Sequence, residues 1–145
     1  MAVDKRFYRV VDANLNRLQE ALRVSEDITR YILDSAALVR SLKSARHAVS
    51  KLIESRPAIA KRLHPARSIS TDVGRPTRKF EIKRRDYSDL LYANLERAKE
   101  SLRVLEEFSK LIDKDLSEVF KSLRYKLYEI EKRSSKIMAS LRYIR

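Results

Sequence analysis

Two stretches of this chain are nearly the same: ANLNRLQEALRVSED from Ala13 and ANLERAKESLRVLEE from Ala93. Over the twenty positions 13–32 and 93–112, ten residues are identical, where chance gives about one or two. The likeness resumes with KSARH at Lys43 and KSLRY at Lys121, after a two-residue difference in length. The duplicated unit is therefore a pair of helices. Two copies of a unit that cannot bury its own apolar face must bury it against each other. The repeat, 7–56 and 86–133, predicts a pseudo-two-fold axis.

The apolar spacing agrees. Phe7, Val11, Leu15, Leu18, Leu22, Ile28 and Ile32 recur at helical intervals, and Asp34 and Ser35 supply a stop and a new N-cap. A second helix runs through Leu38, Leu42, Ala45, Val49, Leu52 and Ile53 to Arg56-Pro57, where proline bars its continuation. Residues 57–63 can add one or two turns. The pattern restarts near Asp86 to Ser88, with Leu91, Leu95, Ala98, Leu102, Leu105, Phe108 and Ile112 on one face. A turn at 113–115 leads to a last helix from about Leu116 towards Tyr143. The expectation is a single all-α domain over 1–145. It is an antiparallel four-helix bundle of two hairpins, joined by a long functional loop, 57–85. A short strand at RKFEIK is the one place for β structure.

Cysteine is absent, which removes disulfides, thiolate metal sites and a cysteine nucleophile. No apolar run is long enough to span a membrane, and MAVDKRFYRV lacks the apolar core of a signal peptide. The expected location is the cytoplasm, with no membrane partner. Lys and Arg number 33 against 20 Asp and Glu, a formal charge of +13. That excess favours nucleic acid, a membrane surface or phosphorylated metabolites. It also suits a heat-adapted helical protein laced with surface ion pairs.

Polar residues shared by the two copies recur every third position: Asn14, Arg17, Glu20, Arg23, Glu26 and Asn94, Arg97, Glu100, Arg103, Glu106. Such a row slips by about 60° per step and cannot all face one site. The asparagines fall near the centre of the apolar face, Arg17 and Arg97 on its flank, and the rest largely away from it. For the asparagines two readings stand open: a hydrogen-bonded core pair, or the wall of a polar cavity. For the charged members the alternatives are i,i+3 ion pairing, worth about 0.2–0.5 kcal/mol a pair, and a second, functional role. The long loop holds Arg67, Ser68, Ser70, Thr71, Asp72, Gly74, Arg75, Thr77 and Arg78. Gly74 permits positive φ or close ligand approach, and hydroxyls beside arginines suit phosphate, though no GxxxxGK[ST] pattern occurs. A plain surface turn explains the loop equally well. His47 and His64 lack metal-ligand spacing, and the tyrosines fall mostly at packing positions.

RVVDANLNRLQEALRVSED, the Asp72-Val73-Gly74 triplet, ANLERAKESLRVLEEF and KSLRYKLYEIE, in that order, resemble the small hydroxymethylpyrimidine-phosphate kinase family of thiamin biosynthesis. Its members occur alone or fused to the N-terminus of thiamin-phosphate synthase. The resemblance covers about Arg9 to Glu131. It implies transfer of the γ-phosphoryl group of ATP to hydroxymethylpyrimidine monophosphate, without action on the free alcohol, by a stand-alone kinase. The implied cofactors are ATP with Mg2+ and nothing tightly bound. The implied partners are ATP and a small phosphorylated pyrimidine, with thiamin-phosphate synthase or a second copy of the chain as protein partners. The chain departs from the family pattern at Ala21 and Ser101, where a glycine-like residue is expected, and at Ser68, where an acidic residue follows the loop arginine.

Arg17, Arg97, Arg23 and Arg103 are then candidates to hold crowded phosphates, with Arg67 and Arg75 closing over them. Asp12 and Asp72 are candidates for the metal or for water positioning, and Asn14, Asn94, Glu20, Glu100 and Gly74 for substrate or nucleotide contacts. Asp12 becomes Tyr92 in the second copy, which suggests that one half holds the reacting phosphates and the other a different ligand surface. The rival readings are a basic bundle binding nucleic acid, which would leave the repeated asparagines and glutamates unexplained, and a non-catalytic scaffold.

Overall fold

The computed structural model describes residues 3–76 and 83–141, with the side chain of Leu141 left aside. Five helices occur among them: α1, Lys5–Tyr31; α2, Ala36–Glu54; α3, Pro57–Ala66; α4, Tyr87–Ser109; and α5, Lys114–Leu141. The expected strand at 78–83 and loop residues Thr77 and Arg78 lie outside the described residues, apart from Lys83.

The helix starts follow the expected chemistry. Asp4 caps α1 through the backbone amides of Arg6 and Phe7, Ser35 Oγ accepts from Leu38 N, and Asp86 accepts from Asp89 N. Asp113 Oδ1 accepts from Leu116 N at 3.0 Å, so α5 begins at Lys114, slightly before the expected Leu116. The short extension expected after Pro57 is a full ten-residue helix with proline at its first turn. The connecting loop is correspondingly shorter than 57–85.

The most extensive packing is α1 on α4, followed by α4 on α5 and α1 on α2; α2 also touches α5, and α3 lies on α1 and α2. Phe7, near the start of α1, meets Phe108, near the end of α4, with ring centroids 6.0 Å apart. The two copies of the repeated helix are therefore antiparallel. Leu18, Leu22, Leu38, Leu42, Leu91, Leu95, Leu102, Leu105, Phe120 and Leu127 are almost fully buried in one core. α3 ends beside the start of α1, and the described loop residues that follow it, 67–73, lie against α1.

Candidate phosphate-binding cleft on the first helix

One member of the repeated polar row is spent on architecture, contrary to its expected position away from the core. Glu26 and Glu106 are buried, at 3% and 4% exposure. Arg46 Nε of α2 donates to Glu26 Oε2 at 2.9 Å, and Arg124 of α5 donates to Glu106 Oε2 through Nη2 at 2.9 Å and Nε at 3.2 Å. These arginines are the matched residues of KSARH and KSLRY, so each hairpin is closed by the same ion pair. The expectation failed because α1 and α4 each have a second helix beside them, which widens the buried arc beyond the apolar stripe.

The asparagines do not pair with each other. Asn14 Nδ2 donates to the carbonyl of Val10 at 2.9 Å, and Asn94 Nδ2 to that of Leu90 at 2.8 Å. Each amide is satisfied within its own helix, which leaves its carbonyl oxygen free to act elsewhere. Asn14 is buried and Asn94 half-buried.

A cleft of about 770 Å³ opens between α1 and the loop after α3. Asp12, Asn14, Arg17, Glu20, Arg67 and Asp72 of the sequence candidates line it, together with Ser68 and Thr71. Arg97, Asn94, Glu100 and Arg103 of the second copy do not, nor do Arg23, Gly74 and Arg75. Arg103 is engaged by Glu106 at 3.3 Å and Glu107 at 3.1 Å, and Arg23 lies 4.0 Å from Glu26. Arg97 and Glu100 are exposed on α4.

The loop is tied down at its start. Arg67 donates to Asp12 by two bonds, Nε to Oδ2 at 2.8 Å and Nη2 to Oδ1 at 2.9 Å. Bonding to this buried carboxylate raises the Arg67 pKa further above its ordinary value. Arg67 was expected to close over phosphates; instead it neutralises Asp12, whose two oxygens are both taken. Asn16 Nδ2 steadies the pair, donating to the Asp12 carbonyl at 3.0 Å and to Oδ1 at 3.4 Å. Tyr92 stands at the matching place in the second copy, which has no such anchor.

Further along, Ser68 and Thr71 share a hydroxyl bond of 2.6 Å, and Asp72 Oδ1 accepts from Gly74 N at 2.9 Å. Gly74 does not adopt positive φ, contrary to one expectation for it, and a Cβ there would meet only Asp72 Oδ1 at 3.5 Å. Arg75 is exposed, outside the cleft.

Arg9 was not singled out from the sequence. It lines the cleft, and its Nη2 donates to the Ser68 carbonyl at 3.0 Å. Its counterpart in the second copy is Asp89, so comparing the repeats could not reveal it; its position one and then two helical turns before Asp12 and Arg17 was the available signal. Among the described residues, Arg9 has no carboxylate partner and Arg17 has no hydrogen bond or ion pair. Arg6, by contrast, is spent on Asp4 at 2.6 Å. The cleft thus holds, on one helix, two guanidinium groups without a carboxylate partner among the described residues, facing loop hydroxyls and Asp72. Among the described residues no three His, Cys, Asp or Glu side chains gather to hold a metal ion, and no helix is long and apolar enough to cross a membrane.

The model of the ThiD2 family matches residues 9–133. The chain is 40% identical over 124 residues to a thiamine-phosphate synthase of Synechocystis sp., covering 85% of this chain and 34% of that protein. It is 40% identical over 131 residues to the Parasynechococcus marenigrum thiamine-phosphate synthase, covering 90% and 36%, and 36% identical over 125 residues to that of Nostoc punctiforme, covering 86% and 34%. The chain spans about a third of the length of these curated relatives. No solved structure matches.

Proposed function

Because the chain belongs to the ThiD2 family, we propose that it acts in thiamin biosynthesis, moving the γ-phosphoryl group of ATP onto hydroxymethylpyrimidine monophosphate. The observation that carries this reading is the pair Arg9 and Arg17, cations without carboxylate partners among the described residues, in a cleft whose far wall carries the Ser68 and Thr71 hydroxyls and Asp72.

An oxygen of the acceptor phosphate attacks the γ-phosphorus. A new P–O bond forms as the bond to the β,γ-bridging oxygen breaks, giving the pyrimidine diphosphate and ADP. The acceptor is largely dianionic near neutral pH, its second pKa being about 6, so no protein base must remove a proton. The obstacle is the repulsion of two phosphate groups brought together, which Arg9 and Arg17 offset.

Magnesium enters as part of the nucleotide substrate. Such an ion keeps several waters and takes one or two carboxylates besides the phosphates. Asp72 Oδ2 and the carboxylate of Glu20 have no partner among the described residues and suit that task; Asp12, bound by Arg67, does not. Selectivity for the monophosphate follows if its phosphate is what satisfies Arg9 and Arg17, because the free alcohol leaves both without an anionic partner.

The test is turnover of Mg-ATP with hydroxymethylpyrimidine monophosphate, with the alcohol in parallel, measuring diphosphate and ADP. Product from the monophosphate alone supports the reading. Absence of turnover with absence of binding rejects it.

One observation favours a second reading. Arg40, Lys43, His47 and Lys51 form an exposed stripe along α2, around a shallow groove of about 510 Å³, and none has a carboxylate partner among the described residues. A stripe of this kind suits an anionic polymer. Binding of single-stranded nucleic acid that weakens steeply with salt would support that role.

A further inference from the structure

A phosphoryl transfer between two small molecules needs room for both, and the cleft on α1 accounts for one. A second cleft, also of about 770 Å³, opens at the N-terminal end of α1. Lys5 and Tyr8 of α1, Lys61, Arg62 and Ala66 of α3, and Ile112 beyond α4 contribute to its walls. The two clefts share no lining residue, yet they are next-door neighbours along the chain. Lys5 and Tyr8 line one while Arg6 and Arg9 line the other; Ala66 lines one while Arg67 lines the other. Both clefts are thus built on the first turns of α1 and on the chain around the end of α3.

The two interiors differ in chemistry. The first offers the amides of Asn14 and Asn16, groups able to read the edge of a substituted ring. The second offers an aromatic floor and positive charge. Tyr8 is 7% exposed, its hydroxyl accepts from Arg62 Nη1 at 3.0 Å, and the Arg62 guanidinium lies over its ring, 5.5 Å from the centroid. The outer face of that exposed guanidinium is a flat cationic platform of the kind on which bases stack. Lys5 and Lys61 add charge, while the carboxylate of Asp4 is occupied by Arg6 and the start of α1. The volume lies within the range of about 300–1,000 Å³ usual for small-ligand pockets.

We propose that this second cleft seats the base of the donor nucleotide. The base stacks on Arg62, Lys5 and Lys61 meet its anionic chain, and the terminal phosphates pass Arg6 and Arg9 to reach the acceptor. This assignment rests on the kinase reading. It explains how a site with hydrogen-bonding groups on only one side serves two ligands: the acceptor is read by its functional groups, and the donor is held by stacking and charge.

The experiment is calorimetric titration of the full chain, with Mg2+, by a non-hydrolysable ATP analogue and separately by hydroxymethylpyrimidine monophosphate. Variants are Lys5→Glu, Lys61→Glu and Arg62→Ala, with thermal melting as the folding control; the two lysines are exposed. The expected result is a tenfold or greater loss of affinity for the analogue, with affinity for the pyrimidine phosphate unchanged within twofold. Unchanged analogue affinity in all three folded variants overturns the assignment while leaving the kinase reading intact. Loss of pyrimidine phosphate affinity instead overturns it by making this the acceptor's cleft. Binding of neither ligand by the wild-type chain overturns the kinase reading and this one together.

Discussion

Arg17 and Arg97 occupy equivalent places in the repeat and have different surroundings, which makes them a matched test of the cleft. Arg17 lines it and Arg97 does not. Both are exposed and unpaired among the described residues, so Arg17→Ala and Arg97→Ala should each change stability by no more than about 0.5 kcal/mol. Turnover should separate them: loss of about 10²–10³-fold for Arg17→Ala and a much smaller effect for Arg97→Ala. Equal kcat values in the two variants would remove Arg17 from the mechanism. Gly74 allows a second comparison. Its backbone is open to any residue and a Cβ makes only ordinary contact, so Gly74→Ala should melt like the wild type. If the backbone beside Asp72 closes on a phosphate during turnover, that variant should lose kcat/KM at unchanged Tm; full activity would show that the glycine is only a turn residue. Reading single residues from sequence succeeded where a feature was repeated or local, as with the Ser35 cap. It failed for Arg67, because the carboxylate that claims it lies 55 positions away in the chain, and for Arg9, which has no cationic counterpart in the second copy.

Between elements, the paired locks Glu26–Arg46 and Glu106–Arg124 hold each hairpin in register. Breaking a buried ion pair costs about 3–5 kcal/mol, and the partial exposure of the arginines, 23% and 13%, places these at the lower end. Glu26→Gln and Glu106→Gln should each cost about 3 kcal/mol in urea unfolding, against at most about 0.5 kcal/mol for the exposed Arg23→Ala. Indistinguishable midpoints would show that the pairs hold nothing. The helices themselves were legible because apolar spacing, caps and Pro57 all act locally. The burial of Glu26 was not, since Arg46, which donates to it, belongs to another helix. Arg56 Nε bonds Asp113 Oδ2 at 2.8 Å, joining the end of α2 to the cap of α5. That bond, with the Leu116 amide, holds the Asp113 carboxyl below its ordinary value of 3.8. A depressed folded pKa contributes stability that is fully present above the unfolded value and disappears as pH falls through the folded one. The difference in Tm between wild type and Asp113→Asn should therefore be largest above about pH 5 and shrink as the solution is acidified past 3.8. A difference that grows on acidification would contradict the assignment.

Across the whole molecule, duplication supplied two equivalent scaffolds and the connection between them broke the equivalence. Helix α3 and the loop lie on α1, and no element among the described ones covers α4 in the same way. Asp12 anchors the start of the crossing segment where Tyr92 cannot, and the cleft between α1 and the described part of the loop forms there. The repeat made the bundle and its axis readable, whereas the cleft on α1 depends on a path in space that periodicity does not encode. The same antiparallel contact of α1 with α4 also bears on how the chain reaches its native state. Most α-bundles gain their first interfaces between neighbours in sequence and fold quickly. Here the most extensive interface, with Phe7 against Phe108, joins segments about 100 residues apart in the sequence, and closing so large a loop must precede any reward from it. Refolding should be slower than in an up-and-down bundle of this size. Substitutions at Leu18 or Leu95 should slow refolding more, relative to their equilibrium cost, than the hairpin change Glu26→Gln. Stopped-flow φ-values would check this, and low values at Leu18 and Leu95 would show that docking follows the barrier.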